Sequence, residues 1–435
     1  MTTIARRAAA AALALLATAA SADAQPRRTG PEPRPNNPYM TYEDPKAWMV
    51  TANYFIYPDG RRVRGPATLQ GGPYENLEFV VPLVESAGHA WHDPENNLFP
   101  YIEVGISAGQ TAASSYRLAA APGSPARYVI VKFGTPIVTE VVQTTFETLI
   151  YCAETKFNQK AAWELPWPDA WPAEATPWLS RDPVLDLPAA DGGDPVADLL
   201  TKWTGGADPR QLPPVQLAKY LTGKALAHVR TNGMNAERPI GRPPIVLNTG
   251  SGQTTFLRRD GKMDLGGMMG GFRVQNAAEV AKSRTGSEHD LANFLTAVLR
   301  RAGIPARTVI GVDKENGGYQ NRLKSWVEFA LVAPDVKGVI WVPVDVRELK
   351  GSGRSDANWQ QEWKHFGTSD LLRQVAPIAF HFHPPANYRS YAFPALYGIR
   401  FESELPDMGT QGVLYDINAL PTGGIEARRR RNLNW

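Results

Sequence analysis

The chain has 435 residues, 43% of them hydrophobic, enough for two or more domain-sized cores. Forty-six Lys and Arg against 43 Asp and Glu leave a formal charge of +3, which excludes a strongly basic nucleic-acid binder and a highly charged disordered chain. A single cysteine, Cys152, excludes a disulfide framework, a Cys-rich zinc site and a Cys-x-x-Cys redox motif.

Residues 1–24, "MTTIARRAAAAALALLATAASADA", place Arg6 and Arg7 before an Ala/Leu run and end on Ala22-Asp23-Ala24, a small-x-small site. That pattern predicts an export signal cut before Gln25, and it does not discriminate the general from the twin-Arg route. No later stretch offers ~18 continuous apolar residues, so the expectation is a periplasmic or extracellular protein without a membrane-spanning segment after cleavage. Residues 25–47 are rich in Pro and charge and read as an extended leader.

From 48 to 160, short alternating segments such as "NLEFVVPLV", "PYIEVGIS" and "RYVIVKF" are separated by Gly, Pro and Asn, which predicts an antiparallel β-sandwich. In "VVQTTFETLIYCAE", Phe146, Thr148, Ile150 and Cys152 alternate onto one strand face, so Cys152 reads as a buried, inert thiol. Residues 161–182 form a connector in which Trp163, Trp167, Trp171 and Trp178 are spaced by Pro. Its indoles either seal a seam between domains or present a sugar- or peptide-binding surface.

The helical period takes over from 183 to 385. "GDPVADLLTKWTG" and "PPVQLAKYLTGKALAHVR" predict two helices, and residues 231–275 a Gly- and Pro-rich insertion. "RTGSEHDLANFLTAVLRRAGIPAR" (284–307) predicts a helix capped by Ser287, with Asp290 closing the capping box and Gly303 and Pro305 ending it. Leu291, Leu295, Val298 and Ala302 share one face, and Glu288 gains from the positive end of the helix dipole. "ARTVIGV", "KSWVEFALVA" and "GVIWVPVDV" follow as strands, and residues 386–435 read as a tail whose "ARRRRN" is solvated.

The order of these pieces, a helix after "R-x-G" that runs into "R-x-A-G-I-P-A-R-x-V-x-G" and then "W-V-E-F" and "W-V-P-V-D", resembles the transglutaminase-like superfamily with its papain-like core. The resemblance implies an α+β fold, an N-terminal antiparallel β-sandwich followed by a helix packed on an antiparallel sheet, of the kind found in secreted bacterial members. It also implies a catalytic Cys at the helix start, a His opening the next strand and an Asp ending the one after. Such a thiol is activated by the helix terminus and the imidazolium, and attacks a Gln or peptide carbonyl.

An ungapped match puts Glu288 at the Cys position, Lys324 at the His position and Asp345 at the Asp position. Neither replacement performs the thiol chemistry, because a carboxylate is a poor acyl-transfer nucleophile and an ammonium is no base. The expectation is therefore a pseudoenzyme in which Glu288 and Lys324 form a permanent ion pair and Asp345 adds a second acceptor. It would bind a protein, a peptide or a cell-envelope component, without a cofactor, a metal or a nucleic acid. The alternative is a hydrolase or transferase of amide or glycosidic bonds with altered, non-thiol chemistry. Binding candidates are His289, Trp326, Trp341, Trp163, Trp167 and Trp171. His289 on the first turn otherwise reads as a solvent-facing residue, Ser287 and His289 point apart, and His381 with His383 are packed or surface histidines rather than a metal site.

Overall fold

The structure is a computed structural model, and it describes residues 34–57, 75–92, 114–120, 125–133, 142–231, 237–239, 269–314, 322–382, 395–402 and 410–419. The expected signal, "PYIEVGIS", His383, most of the insertion and the basic terminus lie outside the described residues.

Two antiparallel sheets form the sandwich. The larger has β1 (Met40–Tyr57) at its centre, paired to β7 (Val142–Phe157) on one side and β17 (Thr410–Ala419) on the other. The hairpin of β3 (Ser86–Ala87) and β4 (Ala90–His92) extends it beyond β7, and β10 (Met269–Phe272) with β9 (Glu237–Pro239) extends it beyond β17. The smaller sheet runs β16 (Gly398–Glu402), β2 (Glu75–Leu83), β6 (Arg127–Phe133), β5 (Ser114–Ala120). Alternation drives the packing, as Trp48, Val50, Ala52 and Tyr54 of β1 face Phe79 and Val81 of β2 and Val129 and Val131 of β6 in one apolar cluster. Three segments expected to lie outside the sandwich belong to it. Residues 40–47 of the expected leader begin β1 and pair with β7, strands β16 and β17 come from the expected tail, and β9 and β10 from the two ends of the insertion, because each carries backbone groups that complete a sheet.

The second layer system is the helical core. Its four-stranded sheet has the order β14 (Ile340–Val344), β13 (Arg322–Leu331), β12 (Ala306–Asp313), β15 (Val375–Ala379). A short parallel pair, β8 (Arg230–Thr231) and β11 (Thr285–Gly286), leads into the central helix. In chain order the helices are α1 (Gln159–Ala162), α2 (Pro195–Trp203), α3 (Pro214–His228), α4 (Ala277–Ser283), α5 (Glu288–Arg301) and α6 (Val346–Gly351). Helix α5 starts and stops where its sequence signals lie. Ser287 Oγ accepts from Asp290 N at 3.2 Å, and Asp290 Oδ2 accepts from Ser287 N at 2.7 Å. Gly303 follows at φ +83°.

The helix is buried on more than the expected face. Leu291, Leu295 and Val298 are covered, and so are Ala292, Phe294 and Leu299, because α5 lies on β12 and β13 with α3 and α4 against its other sides. Its far end is clamped by Arg301, which donates to both carboxylate oxygens of Asp186 at 2.8 Å and to Asp194, the cap of α2, at 2.9 Å.

A buried carboxylate joins sandwich to core. Glu328 of β13 accepts from Arg307 Nε and Nη2 at 2.9 and 2.8 Å, from Trp326 Nε1 at 3.2 Å and from Gly88 N at the β3–β4 hairpin tip at 2.6 Å. The Arg307 guanidinium stacks on Trp341 at 3.9 Å and Phe380 at 4.3 Å. Only glycine fits at 88, since a Cβ there would lie 2.5 Å from the Trp341 carbonyl oxygen.

Candidate functional site

Three elements converge at the start of α5. Glu288 is its first residue, Lys324 lies near the start of β13, and Asp345 follows β14 and caps α6 by accepting from Glu348 N at 3.3 Å. Strand β14 pairs with β13 only from Val327 onward, so on the edge away from β12 the β13 segment before it borders α6. This notch is where the three meet.

The floor of the notch is a buried ion pair. Lys324 Nζ lies 2.7 Å from Asp345 Oδ2, with both side chains almost wholly covered; the contact is ionic and lacks hydrogen-bond alignment. Above it sits a half-exposed layer. Arg347 Nε lies 3.6 Å from Glu288 Oε1 and 4.0 Å from Glu348 Oε1, and Glu348 Oε1 is also 3.9 Å from Lys324 Nζ. The expected direct pair between Glu288 and Lys324 is thus replaced by a chain of charges. Lys324 is held by Asp345 and Glu348, while Arg347 of α6 engages Glu288. The first turn of α6 is responsible, because it places Arg347 and Glu348 directly after Asp345.

Residues 256–346 match the model of the "Transglutaminase-like superfamily". That segment is transglutaminase-like. No curated protein matches the sequence. A crystal structure from Cytophaga hutchinsonii, described as a candidate cysteine protease, is similar at 11% identity and a TM-score of 0.45, over 88% of this chain and 93% of that one.

The three positions that the resemblance singled out stand together in this segment, Glu288 and Lys324 being those it assigns to a thiol and an imidazole. Cys152 does not substitute for the thiol. It is fully buried on β7 in the sandwich, its Sγ 3.5 Å from the Val375 carbonyl oxygen, and burial pushes its pKa well above the ordinary thiol value.

His289 is not solvent-facing. One residue beyond Glu288 the helix has turned by about 100°, which aims the imidazole at β13, where its Nδ1 lies 2.5 Å from Ser325 Oγ. The rings of Phe272 and Phe382 close over it edge-on at 6.3 and 5.6 Å. Burial, and to a smaller degree the Arg347 charge, lower its pKa to about 4, so it is neutral at pH 7. Ser287 and His289 do not meet, the former being committed to its cap. The Ser325 partnership was missed in the sequence because strand alternation gives no hint of which helix residue lies opposite.

The aromatic candidates are engaged in packing within the fold. Trp326 is fully buried beside His89, with ring centroids 5.2 Å apart, and Trp341 covers Arg307. In the strap, Trp163 stacks on Trp359 at 5.7 Å and has the Lys219 ammonium 5.4 Å from its ring, Trp167 donates to Leu212 O at 2.8 Å, and Trp171 donates to Gly303 O at 3.0 Å. These contacts bind the strap onto the helical core. His381 bonds Asp182 at 3.1 Å and stacks on Trp178. Among the described residues no group of three or more His, Cys, Asp or Glu has a metal-holding arrangement.

His365 was not anticipated. It approaches Asp345 and Glu348 from the loop after α6 and adopts φ +71°, a left-handed conformation rare outside glycine. A positive φ in a bulky residue leaves no trace in the sequence.

Proposed function

We propose that this is an exported transglutaminase-like protein that has given up the family's thiol chemistry and acts by binding a protein, a peptide or a cell-envelope component. The observation that supports this most is the Lys324–Asp345 contact of 2.7 Å beneath Glu288. Acyl transfer by the family route needs a nucleophile whose proton is taken by a neighbouring base. Here the nucleophile position holds a carboxylate. The base position holds an ammonium, which has no lone pair to accept a proton and is buried against a counter-ion.

Fixed charges of both signs remain useful for recognition. Glu288, Arg347 and Glu348 are each about one-third exposed and present two acceptors around one planar donor. Amide and charged side-chain groups of a peptide match such a set. The test is to assay purified protein for deamidation, transamidation and peptide hydrolysis, alongside a Glu288→Cys/Lys324→His double variant. No turnover is expected in the wild type. Wild-type turnover that disappears on Glu288→Gln would overturn the reading in favour of a hydrolase or transferase with carboxylate chemistry.

A further inference from the structure

His365 is anchored where it can read the charge of the site. Its carbonyl oxygen accepts from Asp345 N at 3.0 Å, its own N–H donates to Thr368 O at 2.7 Å, and Gly367 N donates to Pro343 O at 2.7 Å. The Gly367 turn is pressed so closely on Phe157 that a Cβ there would lie 2.4 Å from the Phe157 Cβ. A left-handed backbone at a non-glycine residue is unfavourable and persists only where its surroundings enforce it. The backbone of this loop is therefore held beside Asp345. The Nδ1 of His365 is buried and has no hydrogen-bond partner.

The charged groups facing this ring are Asp345, Glu348, Lys364 and Asp370. The carboxylates favour an imidazolium and Lys364 opposes it, with Lys364 itself paired to Asp370 at 3.0 Å. Burial outweighs both and holds the ring neutral below the ordinary histidine range. Proton uptake turns both ring nitrogens into donors and leaves a buried N–H that must find an acceptor. Asp345 is already engaged by Lys324 at 2.7 Å and by the Glu348 N–H. Glu348 is the loosely held carboxylate, 3.9 Å from Lys324 and 4.0 Å from Arg347.

We infer that His365 is a proton-operated switch on the notch: on protonation it draws Glu348 away from Lys324 and Arg347, leaving Arg347 to Glu288 and to whatever the site binds. This rests on the binding reading above and adds to it a pH-dependent control of the site. Only a proton is gained, and no bond is broken.

The test uses the full chain without any ligand, labelled at His and Arg and followed by NMR from pH 7.5 to 5. The His365 ring should titrate with a midpoint below 6.5, and the Arg347 Nε–Hε signal should shift with the same midpoint. In His365→Asn, which tolerates positive φ, the Arg347 shift should be lost. In Glu348→Gln, His365 should still titrate while Arg347 stays still. An Arg347 signal that is static while His365 titrates, or that moves unchanged in His365→Asn, overturns the switch. The coincidence of midpoints is read in the wild type, so a variant that fails to fold does not decide the question. Because no substrate is involved, wild-type amide turnover would refute the binding reading without touching this result.

Discussion

Removing one member of the Lys324–Asp345 pair should unfold the core far more readily than removing both. In Lys324→Met the Asp345 carboxylate stays fully buried and keeps its bond from Glu348 N, but its counter-ion is gone. Breaking one side of a buried pair costs about 3–5 kcal/mol, because the desolvation of the surviving charge is no longer offset. Asp345→Ala strands the ammonium and also deletes the cap of α6, worth about 1 kcal/mol more. Lys324→Met with Asp345→Asn removes both charges and retains an amide that can still cap α6, so its cost should fall to about 1 kcal/mol. Urea unfolding followed by tryptophan fluorescence measures this, since Trp326 and Trp341 lie in or beside the same sheet. The expected signature is a double variant that is more stable than Lys324→Met alone by roughly 2–4 kcal/mol. If Lys324→Met costs less than about 1 kcal/mol, comparable to an exposed pair, the notion of a fixed ionic floor is wrong.

Three further outcomes follow from buried groups. His289 has its pKa lowered to about 4 in the fold, whereas the unfolded chain titrates near 6.5. Its contribution is therefore complete above pH 6.5 and disappears as pH falls toward 4, a loss of roughly 3 kcal/mol that His289→Gln should remove from the pH dependence of thermal unfolding. Lys219 is buried among Trp163, Trp363 and Phe366, and desolvation lowers its pKa to about 8. Between pH 8 and 10.5 the unfolded chain binds more protons, so stability should rise through that window by about 3 kcal/mol relative to Lys219→Met, as measured by urea titration at each pH. Gly88→Ala should cost about 1–3 kcal/mol by overpacking against the Trp341 carbonyl oxygen. Faster exchange of the β3–β4 hairpin amides would accompany it, and unchanged protection would refute the tight fit.

How far the chain could be read without coordinates depended on how local each signal was. The cap at Ser287–Asp290, the stop at Gly303-Ile304-Pro305 and the alternation of β12 to β14 are written within a few residues, and each appears where it was expected. The gathering of Glu288, Lys324 and Asp345 was legible only through the order of elements. The identity of the ionic partners was not, because Arg347 and Glu348 reach the site through the turn that α6 makes after Asp345. His289 illustrates the same limit. Its first-turn position suggested solvent, yet the helix has packed neighbours on several sides, so a one-face pattern underestimates its burial. Strands β16 and β17 were invisible for a different reason, since they pair with β2 and β1 from more than 300 residues away, and no local pattern specifies such a partner.

On the proposed reading, in which Glu288 and Lys324 take the places of thiol and imidazole, the exchange has a structural logic of its own. An active site of this type carries a negative group at the helix start, where the dipole favours it, and a positive one on the facing strand. Glu288 and Lys324 preserve both signs. The lysine side chain, longer than an imidazole, contacts Asp345, which the fold already places as the cap of α6. Glu288, left at the rim, is met by Arg347 instead. The charges form a two-level arrangement with a buried floor and a half-exposed rim. Its rim is the part that a partner could touch, and Glu348, which contacts both levels, is the residue through which a change at the rim would be felt at the floor.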